Sequence, residues 1–154
     1  MQTSGETALP SPAVRMTGVV KRFGTAQVLR GLELQAAAGE MFALVGINGA
    51  GKTTCMKSLL DFASIDSGRI EIHGTSHLLS AARHDLYFLP ERFIPPYFLT
   101  GRDFLKYSAT LHGVVFDAQM VAAKVAALEL DEVALGRPVR QYSKGMAQKL
   151  GLAA

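Results

Sequence analysis

Gly46-Ile47-Asn48-Gly49-Ala50-Gly51-Lys52-Thr53 decides how the chain is read. The stretch fits G-x-x-x-x-G-K-[ST], the spacing of a loop that cradles nucleotide phosphates. Glycines let successive backbone N–H groups turn inward as an anion nest. A helix beginning beside Gly51 adds its positive N-terminus. Lys52 can then reach the β- and γ-phosphates as a point charge, and the Thr53 hydroxyl can ligate Mg²⁺. This is a nucleotide site.

Its flanks suit that reading. Met41-Phe42-Ala43-Leu44-Val45 is a short apolar run of buried-strand type. Thr53 to Phe62 carries Met56, Leu59 and Leu60 at i, i+3 and i+4, which predicts an amphipathic helix. Strand, glycine loop and helix follow one another in the order the motif needs.

Composition narrows the class. A chain of 154 residues, 49% hydrophobic and 19% charged, suits one globular domain. Sixteen Lys+Arg against thirteen Asp+Glu leave +3, too weak and scattered to imply nucleic acid. No apolar run approaches the roughly eighteen residues that span a bilayer. Residues 1–13 are polar, carry Pro10 and Pro12, and lack the basic start and apolar segment of a signal peptide. They read as a disordered tail on a soluble, cytoplasmic chain. Cys55 is alone and reads as a small buried hydrophobe. His73, His77, His84 and His112 show no metal-ligand spacing and read as structural or exposed.

Along the chain, Val14 to Phe23 has strand character, with Val14, Met16 and Val20 on one side. Gly24 to Gln27 makes a turn, and Val28 to Gln35 a second strand that pairs antiparallel with the first. After the loop helix, Asp66-Ser67-Gly68 reads as a turn and Arg69 to His73 as a strand. Ser80 to Asp85 suits a helical turn, and Leu86-Tyr87-Phe88-Leu89 an apolar strand stopped by Pro90. Thr100 with Asp103 resembles a capping box, followed by a Phe104, Tyr107, Leu111 face. Asp117 caps a second helix with a Val121, Val125, Leu128 stripe, Asp131 to Leu135 adds a helical turn, and Ser143 caps a last helix over Lys144 to Ala154.

Many proteins use such a loop. A GTPase is excluded, because no D-x-x-G follows and Asn48 is the only asparagine. A small-molecule kinase usually opens with its phosphate loop, whereas some forty residues precede this one.

From about Val14 onward the chain resembles the ATP-binding subunit of an ABC transporter. Four landmarks in order carry the resemblance. Phe23 stands where that family has an adenine-stacking aromatic, usually Tyr. The loop from Gly46 comes next. Leu89-Pro90-Glu91 matches the Q-loop, with Glu91 in place of glutamine. Tyr142-Ser143-Lys144-Gly145-Met146 matches the signature motif, in the lettering of the drug and polysaccharide exporter branch. Ser143 as N-cap with Gly145 in the first turn also makes a second anion site on physical grounds alone.

The resemblance implies a phosphate-loop ATPase of ABC type. Its α/β fold would have an N-terminal antiparallel β subdomain, an incomplete parallel core sheet and a helical subdomain at about 92–150. ATP would be bound by Phe23, Gly46, Ile47, Asn48, Gly49, Ala50, Gly51, Lys52, Thr53 and Thr54. Mg²⁺ would lie on Thr53. The signature residues Tyr142 to Met146 would face the ATP of a second ATP-binding subunit in a head-to-tail dimer. Lys52 and Glu91 are the candidate catalytic groups. Glu91 has three open readings: sensor of Mg²⁺ or of the attacking water, a Mg²⁺-holding acid, or a solvated loop carboxylate. The subunit would sit on the inner face of the cell membrane through a permease docked on Arg92 to Leu135, and drive export.

The family continues into a strand ending in an Asp for Mg²⁺, a catalytic Glu and a switch His, none of which lies within the 154 residues. Residues 14–154 therefore read as the N-terminal part of such a domain, inactive in hydrolysis by itself. A non-hydrolysing nucleotide-binding module and a soluble ABC-family ATPase are the alternative readings.

Overall fold

The computed structural model describes residues 12–154. The expectation for a disordered tail therefore falls largely outside the described residues. The chain divides into two compact units between Leu86 and Tyr87.

The first unit is built on a four-stranded antiparallel sheet. Its strands are β1 (Val14–Phe23), β2 (Ala26–Ala36), β3 (Ser67–Ile72) and β4 (Thr75–Ser76), in the order β2-β1-β3-β4. β1 pairs with β2 from Val14↔Ala36 to Phe23↔Ala26, and with β3 from Val14↔Ile72 to Val20↔Ser67. The turn is tighter than expected, Gly24 and Thr25 alone, and Ser67 and Gly68 lie within β3.

A bulge corrects one face of β1. Register shifts between Met16 and Val19 against β2 and between Thr17 and Val20 against β3, around Gly18, which has φ +58° and donates its N–H to Glu33 Oε1 at 2.6 Å. An extra residue reverses the in–out alternation. Met16 and Val19 are thus both buried, at 2% and 0% exposure, and Val20 is only half-buried. Gly68 crosses here so closely that a Cβ would lie 2.5 Å from Gly18 O.

α1 (Lys52–Leu59) lays Cys55 and Leu59 into a core with Met16, Val19, Leu29, Ile70 and Ile72. Its buried face is Cys55, Ser58 and Leu59, not the expected face that includes Met56, which is exposed. The helix starts one residue earlier than the apolar letters suggest, and β1 and β2 select the face. A 3₁₀ turn, Ser80–Arg83, follows. His77 is buried with Nδ1 on Ile70 O at 3.1 Å, while His73, His84 and His112 are exposed.

Two expected strands are not formed. Met41 to Val45 takes no strand pairing, with Met41 98% and Val45 89% exposed. Leu86 to Leu89 likewise has no strand structure, and Tyr87 and Phe88 are exposed. A run apolar on every residue suits a strand paired inside a sheet that is covered on both faces. Among the described residues neither run has a strand partner, and all strand pairs are antiparallel.

The second unit is helical: α2 (Gly101–Leu111), α3 (Ala118–Ala127) and α4 (Lys144–Ala153), with 3₁₀ turns at Glu132–Gly136 and Val139–Gln141. All three helices start as their sequences specify. Thr100 Oγ1 accepts from Asp103 N at 3.1 Å, Asp117 Oδ1 from Gln119 N and Met120 N, and Ser143 Oγ from Met146 N at 3.2 Å. The core gathers Phe104, Leu105, Val125, Leu130, Leu135, Val139, Leu150 and Ala153. α2 buries Phe104, Leu105 and Ser108, while Tyr107 and Leu111 are exposed, so the face is rotated from the expected one. No helix is long and apolar enough to cross a membrane among the described residues.

Candidate functional site

The loop of Gly46 to Thr53 is shaped by glycine where no other residue fits. Gly49 and Gly51 have φ +84° and +92°. A Cβ on Gly51 would lie 3.1 Å from Leu29 Cδ2 and 3.2 Å from Val28 O, against β2. Strain and crowding both require glycine at that corner. Ala50 N donates to Ile47 O at 3.2 Å, closing a tight turn inside the loop.

Lys52 opens α1 and curls over the loop. Its Nζ donates to Gly46 O at 2.6 Å and to Ile47 O at 2.8 Å. The ammonium is therefore held across the loop, over the ground a bound phosphate would share. Gly51, the N-cap of α1, makes no side-chain cap, and the first turn holds no acid. The N–H groups of that turn have no partner within the helix. An anion supplies the missing acceptors and meets the positive helix end. The donor set is that of a polyphosphate cradle, so the residues present fit the nucleotide.

Thr53 is exposed and Thr54 half-buried in the same turn. Thr53 offers one hydroxyl oxygen, which suits an ion such as Mg²⁺ that keeps several waters and binds mainly substrate phosphates. No cluster of three or more metal-ligating side chains exists among the described residues. Cys55, two residues on, is buried with Sγ 3.6 Å from Met16 Sδ, and burial pushes its thiol pKa above the ordinary value. Such a thiol is poorly reactive, in keeping with a packing role.

Phe23 ends β1 and is 54% exposed. Lys21 Nζ lies 5.2 Å from its ring centroid, a cation–π contact foreshadowed only by their i, i+2 placement on one strand. Lys21 itself is buried, close to Ser64 Oγ and Asp66. Gly49 and Ala50 line a shared depression with Gln27, Val28 and Leu29 of β2, just past the Phe23 turn. These β2 residues were not singled out by the motif, because they shape the loop through space.

The second unit gathers the other candidates. Glu91, Tyr142, Ser143 and Lys144 line one cavity of about 540 Å³, together with Arg92 and Arg140. Tyr142 donates its hydroxyl to Ala134 O at 2.7 Å. Burial raises its pKa, and nearby Arg137 opposes that rise. Gly101 leaves room for the ring, since a Cβ there would clash with the Tyr142 hydroxyl. Ser143 is extended, caps α4 and keeps its hydroxyl proton free of that bond, with Lys144, Gly145 and Met146 forming the first turn. Gln148 of α4 donates to Pro90 O and Glu91 O at 3.2 and 2.8 Å, a link no motif signals.

The model of the ABC transporter family matches residues 29–154. The chain belongs to the ABC transporter family. Its ABC relatives include the daunorubicin resistance ATP-binding protein DrrA3 of Streptomyces coeruleorubidus, 34% identical over 92% of this chain and 46% of that one. The bacitracin transport ATP-binding protein BcrA of Enterococcus faecalis is 32% identical, over 92% of this chain and 46% of its own. The chain spans about half the length of the curated relatives it matches. Its fold resembles that of a putative ABC transporter ATP-binding protein from Pyrococcus furiosus, at TM-score 0.78 and 24% identity, over 91% of this chain and 68% of that chain. The described residues form part of an ABC-type ATP-binding domain, with an antiparallel sheet unit and a helical unit.

Proposed function

We propose that this chain is the N-terminal part of the ATP-binding subunit of an ABC exporter, coupling ATP binding and hydrolysis to transport. One observation carries the nucleotide assignment. Lys52 Nζ is seated on Gly46 O and Ile47 O at the mouth of a glycine loop that runs into an uncapped helix start. Lys52 and the loop amides bind the phosphates, Phe23 gives adenine a π-face, and Thr53 holds Mg²⁺. The ion supplies charge neutralisation at the phosphates.

Ser143 and the first turn of α4 meet the γ-phosphate held by a second ATP-binding subunit in a head-to-tail dimer. Glu91 senses the ion or the attacking water from its loop. A membrane permease docks on the helical unit, which holds the subunit at the inner face of the membrane. Export is supported by the Tyr-Ser-Lys-Gly-Met lettering at 142–146 and by the names of two relatives, one a daunorubicin resistance and the other a bacitracin transport ATP-binding protein. The lengths of those relatives support a longer subunit that brings the remaining carboxylates for hydrolysis.

Lys52→Ala tests the assignment. Fluorescence titration with ATP and Mg²⁺ is expected to lose binding in the variant, while circular dichroism is unchanged. Equal affinity in the two proteins would remove the loop from the site.

A further inference from the structure

α4 is tied into its unit by side-chain donors that reach backbone carbonyls. Tyr142, just before it, donates to Ala134 O, and Lys149 Nζ donates to Glu129 O at 3.0 Å. These two fasten the helix to the body of the unit. The third tether reaches a loop instead. A side-chain amide carries two N–H donors, and Gln148 Nε2 spends them on consecutive carbonyls, Pro90 O at 3.2 Å and Glu91 O at 2.8 Å.

A second feature lies on the same side of the helix. Gly151 is three residues on from Gln148, so the two share a face. A Cβ on Gly151 would lie 2.7 Å from Leu89 Cδ1 and 3.0 Å from Phe93 Cδ1. Residues 86–96 hold no helix or strand of their own. An amide clamp and a glycine notch thus seat this irregular segment from both sides of Glu91.

We infer that Gln148 is a positioning residue for Glu91, making the Glu91 loop travel with the helix that Ser143 caps. The inference rests on the proposed reading, in which Ser143 meets a phosphate and Glu91 senses the bound state. A displacement at Ser143 passes down roughly 7 Å of helix to the amide of Gln148. From there it reaches the two carbonyls that fix the backbone of Glu91. The Glu91 carboxylate stays free to face the cavity it lines with Ser143 and Lys144.

The test uses ¹⁵N spectra of the 154-residue chain. Ser143→Ala loosens the first turn of α4 and is expected to shift the amide resonances of Glu91 and Arg92. Gln148→Met keeps the length of the side chain but has no donor, and in that background the shift is lost. Gln148→Lys keeps a donor of similar reach, and the shift returns. Equal shifts in the parent and Gln148→Met backgrounds would overturn the inference, since Ser143 would then reach the loop by another path. Should Gln148→Met fail to fold, the Gln148 side-chain amide signals of the parent decide. Slowed exchange with water supports the clamp, and exchange as fast as a free glutamine amide overturns it. No nucleotide enters this experiment, so the clamp can fail while ATP binding at Lys52 stands, and the reverse.

Discussion

The starts of α1 and α4 offer the same physical resource, a ring of unpaired N–H groups at a positive helix end, and they treat it in opposite ways. α4 begins at an extended Ser143 whose hydroxyl accepts from Met146 N. α1 begins at Gly51 in the left-handed region, with no side-chain acceptor at all. Lys52 leans on two carbonyls of the loop ahead of it and leaves the first-turn N–H groups without a side-chain acceptor. A capped start is stable alone and presents a hydroxyl to whatever approaches. An uncapped start is completed by its ligand. The difference fits the proposed reading, in which the α1 end would bind nucleotide in its own subunit and the α4 end would meet it from outside.

The comparison breaks most readily at Gly51. Gly51→Ala forces a Cβ into φ +92° and to within 3.1 Å of Val28 and Leu29. Left-handed strain and overpacking together are expected to cost about 2–4 kcal/mol. Urea unfolding followed by circular dichroism reads this as a lower midpoint, with ATP affinity falling as well. A midpoint unchanged from the parent would show that the loop can turn without its left-handed corner, and the contrast with α4 would lose its basis.

How much of this was legible in the sequence follows from how local each interaction is. The caps at Thr100, Asp117 and Ser143 were readable because each side chain bonds an N–H two or three residues away. The glycine loop was readable for the same reason. β1 and β2 were recognised as a pair, yet the buried residue is Val19 rather than Val20, because the bulge at Gly18 is set by its neighbours on both sides. Met41 to Val45 and Leu86 to Leu89 carry strand letters without strand structure, since a strand exists only when another pairs with it. Gln148 joins Glu91 across 57 residues of sequence, and no local pattern announces that bond.

A smaller effect is expected at the capped end. Ser143→Ala removes the acceptor for Met146 N and is expected to cost about 1 kcal/mol. That is well below the cost at Gly51, because α4 keeps its burial of Leu150 and Ala153 and its tethers through Tyr142 and Lys149. The urea midpoint again measures it. A loss as large as that of Gly51→Ala would mean that the two helix starts are equally indispensable to folding.

The smallest change in stability makes the sharpest distinction. Glycine is a tolerable N-cap, so Ser143→Gly is expected to cost only a few tenths of a kcal/mol. Yet it removes the hydroxyl as completely as alanine does. Inorganic tripolyphosphate, titrated against ¹⁵N-labelled protein, should shift the amides of Lys144, Gly145 and Met146 in the parent and much less in Ser143→Gly. Since the glycine variant keeps the helix and its N–H groups, the lost response would belong to the hydroxyl as a ligand. Undiminished shifts would make Ser143 a cap and nothing more, and leave anion binding at α4 to the backbone alone.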